Sequence, residues 1–247
     1  MKLRLGRRRG RRILALVAFR DEMRFLPGLF ENLAPHVDGI VALDDQSTDG
    51  SAEYVASQPL TVEPLRIEPD SQPPLEEAQN RRTLTEAAWA HDADWLLGID
   101  PDERVEREFR ARAERAIDRA ERLGRGALWV HFRELWDSPD RFRTDGIWGL
   151  KRKACLFRSS TDHHFDERWI HTLWAPPPPP GGWPQADLYL YHLRMIRAED
   201  RQARIEHYRR IDPEAKFQDI GYEYLVDEEG LALSTFEPGR DYVPLGR

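Results

Sequence analysis

Near its middle the chain reads WLLGIDPDE over residues 95–103, a short apolar run that ends in two aspartates. The run has the length and polar flanks of a buried strand, and Pro101 suits the point where a sheet stops because it cannot donate a ladder hydrogen bond. Side chains two positions apart in an extended chain share a face, so we expect Asp100 and Asp102 to converge at the carboxyl end of this strand. Two such carboxylates suit Mg2+ or Mn2+ holding a diphosphate. The alternative is that they only end the strand and open a helix from Val105.

Strand and helix patterns alternate around this stretch. We predict strands at residues 13–19, 39–43, 65–67 and 95–99, and helices at 26–33, near 54, at 75–90 and at 105–123. This alternation favours an α/β fold with parallel strands and right-handed crossovers, in which ligands bind beyond the carboxyl ends of the strands. The polar turn DDQSTDGS at 44–51 and the turn at Asp100 both fall at such ends.

The second half of the chain has a different pattern. Strands are predicted at residues 127–132, 153–157 and 186–192, a polar helix at 197–210, and a stiff Pro/Gly-rich surface loop at 176–184. No linker divides the chain, so we expect a single domain over 12–247 behind a basic arm at 1–11.

Composition narrows the function classes. The charged fraction is 33% and the formal net charge is −7, which argues against a protein built to coat nucleic acid. The single cysteine, Cys155, excludes an intrachain disulfide. The apolar run behind the basic N-terminus is too short for a signal peptide or a membrane span, so we expect a cytoplasmic protein.

The basic arm itself has two interpretations. We expect a disordered, solvated segment. The alternative is a tether to anionic lipid worth about 1 kcal/mol per basic residue, which would hold the protein peripherally at the inner face of a membrane. RNA binding is disfavoured because no aromatic residues lie between the arginines.

Four segments in order resemble the family 2 glycosyltransferases of the GT-A fold. They are AFRDE at 18–22 after the first strand, LDDQSTDGS at 43–51, the helix with Asn80-Arg81-Arg82, and the D-x-D strand at 94–102. The resemblance covers about residues 12–105, and Arg20 stands where the family usually has asparagine. It implies a GT-A-type, Rossmann-like, mostly parallel central sheet flanked by helices. Residues 12–105 would be its nucleotide-sugar-binding half and 106–247 a mixed, acceptor-side half.

The resemblance implies metal-dependent transfer of a sugar from a nucleoside diphosphate sugar to a glycan or lipid-linked acceptor, with Mn2+ or Mg2+ as cofactor. Asp45 would accept hydrogen bonds from the nucleotide base or ribose, and Asp44 and Val17 belong to the same implied nucleotide-sugar-binding set. Asp100 and Asp102 would contact the ribose and the metal. Arg81 or Arg82 could balance the diphosphate charge, although both could equally be surface helix residues.

An inverting transferase also needs a carboxylate base. Asp166 or Glu167, in the segment 163–171 that resembles the acceptor-side segment of relatives, would serve, the alternative being a solvated turn. A retaining enzyme would dispense with that base.

His192 ends a predicted strand and resembles the downstream histidine that completes the metal shell in some GT-A enzymes. The alternative is a hydrogen-bonded core histidine. Tryptophans of the second half could pack on sugar rings or fill the core: Trp148, Trp169, Trp174 and Trp183.

Two rival functions remain open. A sugar nucleotidyltransferase usually has a glycine-rich phosphate loop after the first strand, and residues 18–22 contain no glycine. A non-catalytic nucleotide-sugar or carbohydrate-binding protein would keep the fold without the reaction.

Overall fold

The structure, a computed structural model, describes residues 10–68, 76–165, 173–216 and 220–245. Its first half contains β1 (Ile13–Phe19), α1 (Leu26–Leu33), β2 (Gly39–Asp44), α2 (Ser51–Ser57), β3 (Thr61–Arg66), α3 (Glu77–Ala88) and β4 (Trp95–Gly98). Its second half contains β5 (Glu103–Val105), α4 (Phe109–Arg122), β6 (Ala127–Glu134), β7 (Arg141–Arg143), β8 (Arg152–Arg158), β9 (Gln185–His192), α5 (Ala198–Ile211) and β10 (Leu233–Thr235). Among these described residues, every helix is too short or too polar to cross a membrane.

Eight strands form one sheet in the order β3-β2-β1-β4-β8-β6-β9-β5. The first four run parallel to one another. β8 is antiparallel to both β4 and β6, whereas β9 is parallel to β6 and antiparallel to β5. The predicted α/β fold with a mostly parallel sheet and a mixed second half is therefore confirmed.

Buried apolar runs build the centre of this sheet. The side chains of β1 and β2 are almost entirely buried, as expected for strands covered on both faces. Helix α3 packs against β1 and β2, and α4 packs against β6 and β9. The apolar face of α4 that was predicted from its spacing is buried at Phe109, Ala113, Ile117 and Ala120.

The helix predicted from Val105 is wrong at its start. Residues Glu103–Val105 form β5, which pairs with the end of β9, and α4 begins only at Phe109. The buried guanidinium of Arg104 explains why charged residues can form a covered strand here. It donates to the carbonyls of Pro101, Glu103 and Phe25.

The third strand begins earlier than predicted, at Thr61 rather than at residue 65. It is the edge strand of the sheet and is only partly buried, so its apolar pattern is weak. An edge position also tolerates Pro64 within the strand, because the missing N–H can face away from the ladder.

The topology brings six strand ends to one edge. Since β8 reverses direction between β4 and β6, strands β6 and β9 run in the same direction as β1, β2 and β4. The carboxyl ends of these five strands, and of β3 beside β2, therefore lie along the same edge of the sheet, where ligands bind in open α/β folds.

Candidate functional site

A cavity of about 460 Å³ opens at this edge. Its wall combines residues that follow the strands with residues of α3 and α5. The lining includes Glu22, Asp45, Asn80, Arg81, Asp100, Asp102, Trp174, His192, Arg194, Arg204, His207 and Tyr208. The two acidic turns predicted to lie at strand ends thus meet in one cavity.

Asp45 follows the carboxyl end of β2 and is 2% exposed. Its backbone N–H donates to the Phe19 carbonyl at 2.8 Å, which holds the residue beside the end of β1. The Asn80 side-chain amide donates to Asp45 Oδ2 at 3.1 Å, so α3 fixes the carboxylate toward the cavity wall. A carboxylate held in this way is suited to accept hydrogen bonds from ribose or base groups.

Asp44 has a different position from Asp45. Its Oδ1 accepts the Ser47 backbone N–H at 2.9 Å, and its Oδ2 lies 3.3 Å from the guanidinium of Arg66. The turn that it stabilises is joined to the loop after β1, where Ser47 Oγ accepts the N–H of Asp21 at 3.0 Å. Asp44 shapes this turn and does not line the cavity.

The D-x-D segment is a turn, not the extended chain that was predicted. The Glu103 N–H donates to the Asp100 carbonyl at 3.0 Å and closes the turn. Asp100 and Asp102 both line the cavity but take different partners. Asp100 Oδ2 accepts Lys153 Nζ at 2.8 Å, and Lys153 also contacts Glu103 at 2.6 Å.

Asp102 and His192 lie together at the centre of the site. Asp102 Oδ2 is 3.2 Å from His192 Nε2, and both residues are buried. On the other side of the imidazole, Nδ1 is hydrogen-bonded to Glu134 at the end of β6. The second D-x-D aspartate and His192 are thus adjacent, and the ring is held by carboxylates on both sides.

Arginines surround this pair. Arg194 donates to Asp102 through Nε and to Glu22 through Nη2. Arg204, on α5, has Nη1 3.1 Å from His192 Nε2. Arg81 on the α3 side and Arg20 after β1 also line the cavity, and each of these four guanidinium groups can bind phosphate oxygens through its fork of N–H donors.

The local charges shift the pKa values of the buried acids and of the imidazole. Burial raises the pKa of Glu22 to about 7 against the opposing charge of Arg194. For Asp102, burial acts in the same direction, but His192 and Arg194 outweigh it and hold its pKa well below the usual range. Burial would lower the pKa of His192, yet Glu134 and Asp102 raise it to about 9. Asp102 is therefore an anion at neutral pH.

The donor set fits a divalent ion that shares its coordination with a ligand. Asp102 Oδ2 and His192 Nε2 are adjacent, and Mg2+ or Mn2+ sites often use one or two protein ligands and fill the other positions with phosphate oxygens and water. Within residues 10–68, 76–165, 173–216 and 220–245, no three His, Cys, Asp or Glu residues form a complete metal cluster. A metal here would therefore depend on the oxygens of its partner ligand.

Trp174 forms one wall of the cavity and packs directly on the β4 backbone at Gly98. A Cβ on Gly98 would lie 2.1 Å from Trp174 Cδ2, so only glycine fits beneath this ring. The Arg81 guanidinium lies 4.8 Å from the ring centroid. The other tryptophans differ: Trp148 is buried with Trp136, and Trp183 packs partly buried against the main core.

The remaining predicted residues are dispersed. Val17 is fully buried in β1 opposite Ala42. Arg82 lies over the ring of Phe165, 4.6 Å from its centroid, and does not line the cavity. The predicted base residues, Asp166 and Glu167, and the nearby Trp169 lie outside the described residues.

Sequence reasoning missed several residues at or behind the cavity, among them Glu134, Lys153, Arg194, Arg204, His207 and Tyr208. The spacing of Arg204, His207 and Tyr208 on α5 offered a signal, because positions i, i+3 and i+4 share a helix face. Glu134 and Lys153 reach the site by strand pairing across the mixed half of the sheet, and single charged residues in a strand carry no local pattern.

No known protein-family model matches the chain. The uncharacterized proteins Rv3786c of Mycobacterium tuberculosis and Mb3815c of Mycobacterium bovis are each 26% identical to it over an alignment that covers 91% of this chain and 58% of theirs. The chain therefore spans little more than half the length of these curated relatives.

The chain also matches solved structures. S. aureus TarS matches with a TM-score of 0.50 and 13% identity, over 88% of this chain and 42% of TarS. A mannosyltransferase from Pyrobaculum calidifontis in complex with GDP-Man and Mn2+ matches with a TM-score of 0.49 and 14% identity, over 85% of this chain and 66% of that one. The similarity to TarS shows a shared GT-A-type fold.

Proposed function

We propose that the protein is a metal-dependent glycosyltransferase that moves a sugar from a nucleoside diphosphate sugar to a glycan or lipid-linked acceptor. The observation that carries the proposal is the meeting of Asp45, Asp102, His192 and four arginines in one cavity at the carboxyl ends of the strands. A buried anion, a metal-ligand pair and a set of cations suit the nucleoside, the metal and the diphosphate of such a donor, respectively. The GT-A-type fold supports the same function.

On this proposal, different residues bind different parts of the donor. Asp45, oriented by Asn80, binds the nucleoside, and Asp100, which also lines the cavity, binds the ribose. Arg81, Arg194 and Arg204 bind the diphosphate. Since Arg194 already spans Asp102 and Glu22, it is positioned beside the metal-ligand pair without further ordering.

Asp102 and His192 would hold Mn2+ or Mg2+. When bound, the ion supplies positive charge to the diphosphate oxygens as the leaving group gains negative charge. The arginines act on the same oxygens, and the protein otherwise positions donor and acceptor.

The transfer breaks the bond between the anomeric carbon and the diphosphate oxygen and forms a bond to an acceptor hydroxyl oxygen. The hydroxyl proton goes to a base, and the nucleoside diphosphate leaves. Asp166 or Glu167 stays our prediction for that base in an inverting reaction. Peripheral contact of the basic arm with an inner membrane face, which would suit a lipid-linked acceptor, is part of the same proposal.

The test is product analysis by 31P NMR with a panel of nucleotide sugars and Mn2+. UDP-GlcNAc and GDP-Man lead the panel, since they occur in structures of TarS and of the Pyrobaculum mannosyltransferase. We expect slow release of a nucleoside diphosphate that accelerates with acceptor and stops with a metal chelator. In a parallel reaction with added pyrophosphate, formation of a nucleoside triphosphate and a sugar 1-phosphate would instead indicate a nucleotidyltransferase, and binding with no turnover of any donor would indicate a non-catalytic protein.

A further inference from the structure

Glu134 contacts His192 on the side of the imidazole that faces away from the cavity. It ends β6, is 2% exposed and lies directly opposite His192 in the β6–β9 register. Its Oε2 is hydrogen-bonded to His192 Nδ1, and its Oε1 accepts Lys151 Nζ at 2.7 Å. Glu134 does not line the cavity, so its carboxylate contacts the site through the imidazole.

The contacts of Glu134 restrict the rotation of the imidazole. A ring flip of His192 would remove Nδ1 from Glu134 Oε2 and leave a buried carboxylate oxygen facing carbon, which is costly. Lys151 holds the other oxygen of the carboxylate, and its own ammonium lies 4.2 Å from the centroid of the Trp148 ring. The imidazole is therefore held so that its Nε2 edge meets Asp102 and Arg204.

A second buried glutamate beside His192 does not share this role. Glu103 lies opposite His192 in the β5–β9 register and is 1% exposed. Its carboxylate oxygens instead bind Lys153 Nζ at 2.6 Å and the Asp100 N–H at 3.0 Å. Burial next to the histidine is thus common to both glutamates, whereas the contact with Nδ1 belongs to Glu134.

We propose that Glu134 is a positioning residue that orients His192 and reserves its Nε2 atom as a metal ligand. Histidine ligands in metal sites commonly donate their other ring N–H to a carboxylate, which fixes both the tautomer and the orientation of the ring. The inference rests on the proposed function, because that function makes His192 a metal ligand. It adds a residue that touches neither metal nor donor.

The test compares Glu134→Gln with Glu106→Gln. Glu106 is a matched control, since it is 0% exposed, accepts Arg240 Nη1 at 2.8 Å and lies away from the cavity. Mn2+ affinity is measured by electron paramagnetic resonance with saturating UDP or GDP. We expect Glu134→Gln to weaken Mn2+ binding by about 10–100-fold, the usual effect of losing such a partner. Glu106→Gln should bind Mn2+ like the wild type.

A second measurement does not depend on the variant being folded. NMR of the 15N-labelled imidazole in metal-free wild type should show His192 Nδ1 carrying a proton with a far-downfield resonance, as expected for a short hydrogen bond to a carboxylate. His192→Gln assigns the signal. An Nδ1 without a proton would overturn the proposal, as would equal Mn2+ affinities of Glu134→Gln and wild type.

The pattern of results separates this inference from the proposed function. If Mn2+ does not change nucleoside diphosphate binding by the wild type, the metal-dependent function fails and the inference fails with it. If the wild type requires Mn2+ and Glu134→Gln retains its full affinity for the ion, only the inference fails.

Discussion

Replacing Gly98 with alanine should destabilise the protein through one side chain, the indole of Trp174. The new Cβ would lie 2.1, 2.3 and 2.6 Å from three atoms of the ring, Cδ2, Cγ and Cε3. Ordinary carbon–carbon contacts are about 3.5–4.0 Å, so the ring would have to shift by more than about 1 Å. Trp174 is 3% exposed and has the guanidinium of Arg81 on its ring, so it has little free space to enter.

The expected cost follows from overpacking. Inserting a methyl group into a close-packed site costs about 1–3 kcal/mol, which corresponds to a fall in melting temperature of about 2–12 °C for a domain of this size. The backbone of Gly98 does not add to this figure, because its φ lies outside the region that disfavours other residues. Thermal and urea denaturation of Gly98→Ala would measure the change.

A double-mutant cycle identifies the cause of the loss. In a Trp174→Ala background the clash is absent, so adding Gly98→Ala should cost almost nothing, and the coupling free energy should be about 1–3 kcal/mol. An equal loss of stability in both backgrounds would refute the packing of Trp174 on Gly98 as the cause.

Three further predictions concern charges. Arg11→Ala should destabilise the fold by about 1 kcal/mol, because Arg11 contacts Glu114, Asp118 and Glu121 on α4. Arg115, an exposed residue of α4, should tolerate alanine, and urea denaturation compares the two variants. In metal-free protein, Glu134 and Asp102 outweigh burial and raise the pKa of His192 from 6.5 to about 9. The stability that the charged imidazole contributes is therefore complete below pH 6.5 and lost as the pH rises through 9. In urea denaturation, the difference in unfolding free energy between wild type and His192→Gln should shrink across that interval. A constant difference would contradict the prediction. Deleting residues 1–9 should reduce sedimentation with anionic vesicles, in a salt-sensitive way, and unchanged sedimentation would remove the lipid tether.

The first half of the fold could be predicted because its signal is local. The strands β1, β2 and β4 are continuous apolar runs, and the turns after β2 and β4 are rich in carboxylates at the correct side of the sheet. β5 was missed because Glu103 and Arg104 are charged in the sequence, and only their buried partners explain why they form a strand.

Only those residues of the candidate site that belong to a local sequence motif or end a predicted strand could be predicted. Asp45 and Asp102 follow strands directly, and His192 was identified from its place at the end of a predicted strand. The partners of His192 could not be inferred, since Glu134 meets it through the parallel pairing of β6 with β9 and Arg204 through the packing of α5. Such contacts depend on the order of strands in the mixed half of the sheet, which hydrophobic periodicity does not determine.

The proposed metal-dependent binding of a nucleoside diphosphate is tested most directly by isothermal titration calorimetry. UDP and GDP are titrated into wild type and into Asp102→Asn, each with Mn2+ and with chelator. We predict that Mn2+ strengthens the binding of at least one of the two nucleotides to wild type by about tenfold or more, about 1.4 kcal/mol, and leaves the affinity of Asp102→Asn unchanged. Failure of wild type to bind either nucleotide, or an equal gain from Mn2+ in both proteins, would contradict the account.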